Sequence, residues 1–215
     1  MSLQPFNWSV VILGYWNLAI LAPGRIADKI FRLEKGTKVP VMVPVDGNVP
    51  CQVEHPDRDI KVSAHPNRLM FELIKMNYDA LKHAMDCAIE ALTWLPETPV
   101  WAAGFNVNAR TDKPSTEMVS YYAHKIDGMF ADLGYEVTNY SLGRSLQYGD
   151  GMFNINIRGT SNNFEFLCNF HRESRNNEDL IEWLRTPIEQ IEEKVTQVLQ
   201  KFGLKIEDTN HDNSE

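Results

Sequence analysis

The stretch from Gly151 to Glu173 alternates apolar and polar residues at every second position on both sides of a short turn. A period of two is the pattern of a β-strand that buries one face and exposes the other. The segment GTSNN separates the two halves, so the stretch predicts a β-hairpin with strands at 152–158 and 164–171. The apolar residues predicted to face the core are Phe153, Ile155, Ile157, Phe164, Phe166, Cys168 and Phe170.

Other segments of the chain also favour strands. Residues 7–16 are apolar on both alternating faces, which predicts a strand that is covered on both sides. The segment VPVMVPV contains two prolines that cannot donate ladder hydrogen bonds, so it predicts an edge strand or an irregular arm. A second hairpin is predicted around Pro66-Asn67, because this pair is typical of turns. Further strands are predicted at 98–110 and 135–146.

Apolar residues spaced three and four apart predict helices over 77–94 and 115–133, with Ser115 as the N-cap of the second. A short helix is predicted at 179–185. The last helix follows Thr186-Pro187-Ile188-Glu189, which has the sequence of a capping box. Its apolar stripe recurs at four and three residues, which leaves two interpretations open. The stripe either packs on the sheet of its own domain or forms a coiled-coil seam in a dimer.

The order of these elements defines the predicted fold class. Helices do not alternate one for one with strands, which favours an α+β fold over a parallel α/β fold. We predict a mostly antiparallel sheet with three to four helices packed on one face, one of them beginning at Pro23. No Gly/Ser-rich linker divides the chain, so residues 5–206 are predicted to form a single domain. Residues 207–215 are polar and are predicted to form a disordered tail.

Charge and cysteine content argue against several classes of protein. The chain has 29 acidic and 21 basic side chains, a formal net charge of −8. Because nucleic-acid-binding proteins concentrate Lys and Arg, we expect no nucleic acid as a partner. The longest apolar segment is shorter than the roughly 20 residues of a membrane span, so no membrane is expected either. Cys51, Cys87 and Cys168 are widely spaced, which favours reduced thiols and a cytoplasmic protein.

The sequence lacks the common catalytic signatures. It contains no nucleophile elbow G-x-S-x-G, no glycine-rich phosphate loop and no H-E-x-x-H motif. Its six histidines form no pair at metal-ligand spacing. We therefore expect no metal and no cofactor, and the sequence favours a non-enzymatic protein. His171, followed by Arg172 and Glu173 at a predicted strand end, could orient an anion or a carbonyl, and the alternative is an exposed polar rim.

Amides and guanidinium groups occupy the outward positions of the predicted strands. Asparagine is depleted in strands, so its repetition here is unusual. Two arginines in the same set could bind a carboxylate or a phosphate. Two interpretations stay open: a sheet face that meets water or a subunit, or a groove for a small anionic ligand or a peptide. The candidate ligand-binding residues are Asn106, Asn108, Arg110, Asn154, Asn156, Arg158 and His171, with Asn169 in the same pattern.

Four segments occur in an order that resembles a group of bacterial proteins of unknown function. They are GYWNLAILAPGRIADKIF, VPVMVPVDGNVP, NRLMFELI and LTWLPETPVWAAGFNVNAR. The resemblance covers the first half of the chain and the alternating strands near 152–171. It implies a bacterial, cytoplasmic, soluble protein, and it implies neither an activity nor a catalytic residue.

Two hypotheses about function follow. The first is a non-enzymatic protein that acts through protein–protein contacts or self-association, with a homodimer or another protein as partner. The second is a small-ligand protein or enzyme that uses Arg110, Arg158 and His171 on the outward face of the sheet.

Overall fold

The fold is known from a computed structural model, which describes residues 1–44, 50–120, 125–160 and 162–207, without the side chains of Val119 and Lys125. The described residues contain eleven β-strands. Their bounds are β1 Ser2–Pro5, β2 Ser9–Gly14, β3 Val41–Met42, β4 Gln52–Glu54, β5 Ile60–His65, β6 Arg68–Leu73, β7 Val100–Thr111, β8 Tyr140–Tyr148, β9 Gly151–Gly159, β10 Phe164–Glu173 and β11 Lys205–Ile206.

The described ranges also contain six α-helices, which is more than the three to four predicted from the sequence. They are α1 Pro23–Arg25, which continues into a π-helical turn at Ile26–Ile30, then α2 Tyr78–Trp94, α3 Thr116–Ser120, α4 Lys125–Asp132, α5 Asn177–Leu184 and α6 Ile188–Lys201. Two of the six, α3 and α4, lie within the predicted helix 115–133, on either side of residues outside the described ranges, and α1 is a single turn.

The strands form one sheet in the order β3-β4-β5-β6-β2-β7-β10-β9-β8, and every pair along this path is antiparallel. β1 pairs antiparallel with one end of β7 and parallel with β11. The predicted mixed fold with a mostly antiparallel sheet is therefore confirmed. The proline-containing arm supplies β3, at one edge of the sheet as predicted.

One face of the sheet carries the hydrophobic core. Val10, Phe71, Phe105 and Phe170 project from this face and are fully buried. Helices α2, α5 and α6 supply the opposing side chains of the same core cluster. The alternation in β9 and β10 is confirmed, because the seven apolar residues predicted to face inward are all buried.

The last helix packs on its own chain. Ile191, Val195 and Leu199 form its stripe and are buried in the core, which selects the intramolecular interpretation of the four–three spacing over a coiled-coil seam. The predicted capping box does not form. Pro187 takes the N-cap position without a side-chain cap, and the Thr186 hydroxyl instead donates to the carbonyl of Trp183 at 2.7 Å.

Helix α4 departs from the predicted packing of every helix on the core. It begins after residues 121–124, which lie outside the described ranges, and its apolar side chains are largely exposed.

The predicted N-cap ahead of α3 is confirmed, because the backbone N–H of Met118 donates to the Ser115 hydroxyl at 3.2 Å. The predicted strand at 135–146 lies later in the chain, as β8.

Strand β2 is covered on one side only within the described chain. Val10 and Ile12 are buried, whereas Val11 and Leu13 on the opposite side are half-buried and Tyr15 is 70% exposed. The prediction that both sides are covered is therefore wrong for this chain alone. We call the side of the sheet opposite the helices the open face.

Residues 208–215 of the predicted tail lie outside the described ranges. None of the described helices combines the length and the apolar character needed to cross a lipid bilayer.

Candidate functional site

A row of polar side chains crosses the open face on four neighbouring strands. The strand register places Asn154 of β9 opposite Asn169 of β10, Asn169 opposite Asn106 of β7, and Asn106 opposite Ser9 of β2. Side chains directly opposite one another in an antiparallel pair lie close enough to interact. We refer to these four residues as the amide row.

Hydrogen bonds run along the amide row in one direction. The amide nitrogen of Asn154 donates to the Oδ1 of Asn169 at 3.1 Å, and that of Asn169 donates to the Oδ1 of Asn106 at 2.9 Å. The amide nitrogen of Asn106 then donates to the Ser9 hydroxyl at 3.0 Å. Each amide thus satisfies its neighbour, which allows a strand face rich in asparagine to be stable.

His171 adjoins the start of the row. Its Nδ1 lies 2.9 Å from the amide nitrogen of Asn154. Because an amide nitrogen only donates, Nδ1 is the acceptor in this contact. The amide nitrogen of Asn154 therefore donates both of its hydrogens, one to His171 and one to Asn169.

The row keeps hydrogen-bonding capacity for a partner. Asn106 and Asn169 each use one of two N–H groups and one of two lone pairs within the row. The remaining donors and acceptors are uncharged and occur in equal number on these two residues. Two ion pairs flank the amide row on the open face. Lys61 pairs with Glu72 at 3.8 Å, and Arg158 pairs with Glu165.

The other predicted site residues have local partners instead. Asn108 donates to the carbonyl of Asn7 at 3.1 Å, and Asn156 accepts from the Ser141 hydroxyl at 3.2 Å. The guanidinium carbon of Arg110 lies 5.1 Å from the ring centroid of Phe6, a cation–π contact. Arg158 is held in its ion pair. Both guanidinium groups that were predicted to bind an anion are thus already engaged.

An apolar groove lies beside the amide row and has a volume of about 470 Å³. Gly104 forms part of its floor, and a Cβ there would lie 2.5 Å from the Phe170 carbonyl oxygen and 2.9 Å from the Cβ of His171. Tyr15 packs its ring edge-on against Trp101 at 5.1 Å. The groove is lined by residues that include Val11, Leu13, Trp101, Asn106, His171 and the acidic Glu173.

The structure thus joins three of the predicted residues, Asn106, Asn154 and His171, into one network through Asn169. Sequence reasoning missed Ser9 as the end of the row, and it missed the apolar half of the face, Val11 and Leu13. A signal for the apolar half was present, because residues 7–16 are apolar on both faces. That pattern predicts that the second face of the strand is also buried against another surface, but it does not identify that surface.

Away from the amide row, two cysteine thiols have raised pKa values because they are buried. Burial raises the pKa of the Cys87 thiol to about 12, and burial also raises the pKa of Cys168. Cys168, which was predicted to face the core, is buried, and so is Cys87. Within the described ranges, no group of three or more His, Cys, Asp or Glu side chains has a metal-binding arrangement.

Comparison with protein-family models and with curated proteins finds no match to this chain. The resemblance to a group of bacterial proteins therefore stays a prediction.

Proposed function

We propose that the protein is a non-enzymatic homodimer-forming protein and that two copies associate through their open sheet faces. The observation that carries this proposal is the apolar outer side of β2, which the described chain buries only in part. Val11 and Leu13 lie on a central strand of the sheet and are half-buried, and Tyr15 just beyond its end is 70% exposed. Partly exposed apolar side chains on an open sheet face are typical of contact sites.

The size of the open face fits a protein partner. Strands lie about 4.8 Å apart and rise about 3.3 Å per residue, so the five neighbouring strands β6, β2, β7, β10 and β9 present roughly 700 Å² in projection. Stable complexes bury about 800 Å² on each partner. Two sheets that pack face to face about 10 Å apart are a common arrangement of a protein core.

The chemistry of the open face favours a second copy over a charged partner. Its centre is the neutral amide row, and an amide is its own complement because it donates and accepts. The ion pairs beside the row balance their own charges. Two chains of net charge −8 repel each other, so their contact is most favourable where the surface carries no net charge. The row also satisfies itself, which lowers the cost of removing it from water.

Sedimentation velocity on the wild type and two matched variants tests the proposal. Leu13→Lys places a charge on the open face and should give a monomer. Leu133→Lys makes the same change at a leucine just beyond α4 that is 72% exposed and belongs to none of the described strands, and should leave the dimer intact. Circular dichroism confirms that both variants fold. A wild type that stays monomeric up to about 100 µM, or equal association of both variants, contradicts the proposal.

A small ligand in the groove is the second candidate function. The groove of about 470 Å³ falls in the range of small-molecule sites, and His171 lies in its wall. Anion binding is the weaker form of this candidate, because Arg158 pairs with Glu165 and Arg110 stacks on Phe6. A thermal-shift screen with nucleotides and sugar phosphates tests it. A hit that is lost in His171→Ala, in a variant that folds by circular dichroism, would favour the ligand over the dimer.

A further inference from the structure

We infer that the outer edge of β8 is a second self-association surface, on which β8 of another copy pairs antiparallel. This edge contact uses a different part of the sheet from the open face and does not depend on the proposed open-face dimer. β8 is the last strand in the sheet order, and none of the described strands pairs with its outer side. The residues from Gly143 to Gln147 are all exposed, so the described chain leaves this edge accessible.

The two edges of the sheet differ in how well they resist the addition of a strand. Edge strands are usually protected by short length, proline, charge or a bulge, because their free backbone groups otherwise pair with another chain. At the opposite edge, β3 is two residues long and lies between Pro40 and Pro44. β8 is nine residues long, contains no proline and keeps a continuous register with β9. Arg144 is its one charged residue, so β8 is the weakly protected edge.

Alternate residues of β8 direct their backbone groups away from the sheet. A two-residue turn joins β8 to β9, which makes Tyr148 and Gly151 a hydrogen-bonded pair. Hydrogen-bonded and non-hydrogen-bonded pairs alternate along an antiparallel ladder, so every other residue of β8 points its N–H and C=O outward. These outward residues are Ser141, Gly143, Ser145 and Gln147.

The sequence of β8 matches a second copy of itself. The segment YSLGRSLQY has the same or a similar residue at equal distances on either side of Arg144. Antiparallel pairing about a twofold axis at Arg144 places these equal distances opposite each other. The resulting pairs are Tyr140 with Tyr148, Leu142 with Leu146, Ser141 with Gln147 and Gly143 with Ser145. Outward residues thus meet outward residues, as ladder hydrogen bonds require, and leucine meets leucine.

The charge of β8 also favours a second copy. The chain has a net charge of −8, but β8 contains no acidic residue, so two copies repel each other less at this edge than elsewhere. Arg144 acts in the opposite direction, because it meets its own copy at the axis and like charges placed opposite are destabilising. Its guanidinium also donates to the outward carbonyl of Gly143 at 2.7 Å and must release it on pairing. Arg144 therefore lowers the affinity of the edge contact.

The edge contact is small. Nine residues extend about 30 Å and a sheet is about 10 Å thick, so each copy contributes roughly 300 Å², compared with about 800 Å² in a stable complex. The edge contact alone should therefore be weaker than the open-face contact and should form mainly at high concentration. Together, two different twofold contacts on one chain would join open-face dimers into assemblies of four or more copies.

Disulfide trapping tests the pairing and its register. The background is Leu13→Lys with Cys51→Ser, which removes the open-face contact and the exposed native thiol. Ser141→Cys and Gln147→Cys are introduced into it together and singly. Opposed Cα atoms in the paired strands lie about 5.5 Å apart, a distance that a disulfide spans, whereas these two positions within one copy lie about 20 Å apart.

Under oxidised glutathione, the double-cysteine variant should form cross-linked dimers at least about tenfold faster than either single-cysteine variant, because pairing raises the local thiol concentration. The single variants control for random collision of exposed thiols. Equal rates in the double and single variants overturn the inference.

Two further changes in the double-cysteine variant test the ladder itself. Ser145→Pro removes an outward N–H that β9 does not use, and it should reduce trapping to the rate of the single variants. Ser145→Ala keeps this N–H and should trap as the parent does. Arg144→Gln removes the opposed charges and should speed trapping about twofold to fivefold. Circular dichroism confirms that the variants fold, and trapping that survives Ser145→Pro unchanged contradicts the edge pairing.

These experiments separate the edge contact from the open-face dimer. If Leu13→Lys does not dissociate the wild-type dimer, the proposed function fails, and the trapping rates still decide whether β8 pairs with β8. If the double-cysteine variant traps no faster than the single variants, the edge inference is wrong, and the open-face dimer is decided by its own sedimentation test.

Discussion

Single residues set the shape of the open face, and Gly104 is the clearest case. The groove exists because this position of β7 has no side chain where β10 passes closely. The alternation of the flanking residues predicts the strand, but only the contact with the Phe170 carbonyl explains why glycine is needed there.

Gly104→Ala should lower the free energy of unfolding by about 1–3 kcal/mol, because the new methyl group overlaps the backbone of β10. Gly143→Ala on β8 is the matched control, since a Cβ there meets nothing within 4 Å. Urea unfolding of both variants measures the difference. Equal unfolding midpoints for the two variants would show that β10 shifts to make room for the methyl group without any loss of stability.

His55 makes folding sensitive to pH. The side chain is only 4% exposed, packs on Phe31, and accepts a hydrogen bond at Nδ1 from the backbone of Asp57 at 3.1 Å. Burial lowers the pKa of His55, and the charge of Arg58 lowers it further. The unfolded chain therefore binds a proton at a higher pH than the folded chain does.

The free energy of unfolding should consequently decrease as the pH falls below about 6.5, and the decrease should end at the folded pKa of His55. His55→Asn keeps an acceptor for the turn and should flatten this pH dependence. Burial also lowers the pKa of His65, so the double variant with His65→Asn should flatten it more. Unfolding measured in urea at several pH values checks this, and an unchanged slope in both variants would exclude the explanation.

At the scale of elements, local signals predicted most helices and strands well, but not their packing. Helix α2 begins where the Asn77 side chain accepts from the backbone N–H of Ala80 at 2.8 Å. Its apolar stripe then faces the sheet, as the spacing of its leucines and alanines requires. Helix α4 has a similar stripe, yet its side chains stay exposed. Periodicity shows which side of a helix is apolar and leaves open which surface covers it.

Asn77→Ala should destabilise the protein by about 0.5–2 kcal/mol, because the first turn of α2 loses its cap. Asn77→Asp keeps an acceptor at the positive end of the helix and should retain most of the stability. Thermal or urea unfolding distinguishes the two. If both variants were destabilised equally, the side-chain cap would not be the reason for the loss.

At the scale of the whole molecule, the proposed dimer brings together two chains that each carry a net charge of −8. Salt screens the repulsion between two like-charged copies more than it affects an apolar contact.

The proposed dimer should therefore tighten between about 50 mM and about 500 mM NaCl, and the dissociation constant from sedimentation equilibrium measures this. Leu13→Lys serves as the control, because without the apolar contact added salt should not restore the dimer. A dissociation constant that rises with salt would indicate a contact made by charge pairs, and the open face would then be the wrong surface.

The sequence by itself determined which side chains point inward in β9 and β10, where the hairpins turn, where several helices begin, and that asparagines repeat on the outward side. These are properties of neighbours along the chain, and a period of two or of 3.6 expresses them directly. Only the tertiary structure decided that β10 lies between β7 and β9. That strand order lets Asn169 connect Asn154 to Asn106, pairs Arg158 with Glu165 across β9 and β10, and leaves the outer side of β2 half-buried. Lateral neighbours in a sheet are distant in sequence, so no local pattern could specify them.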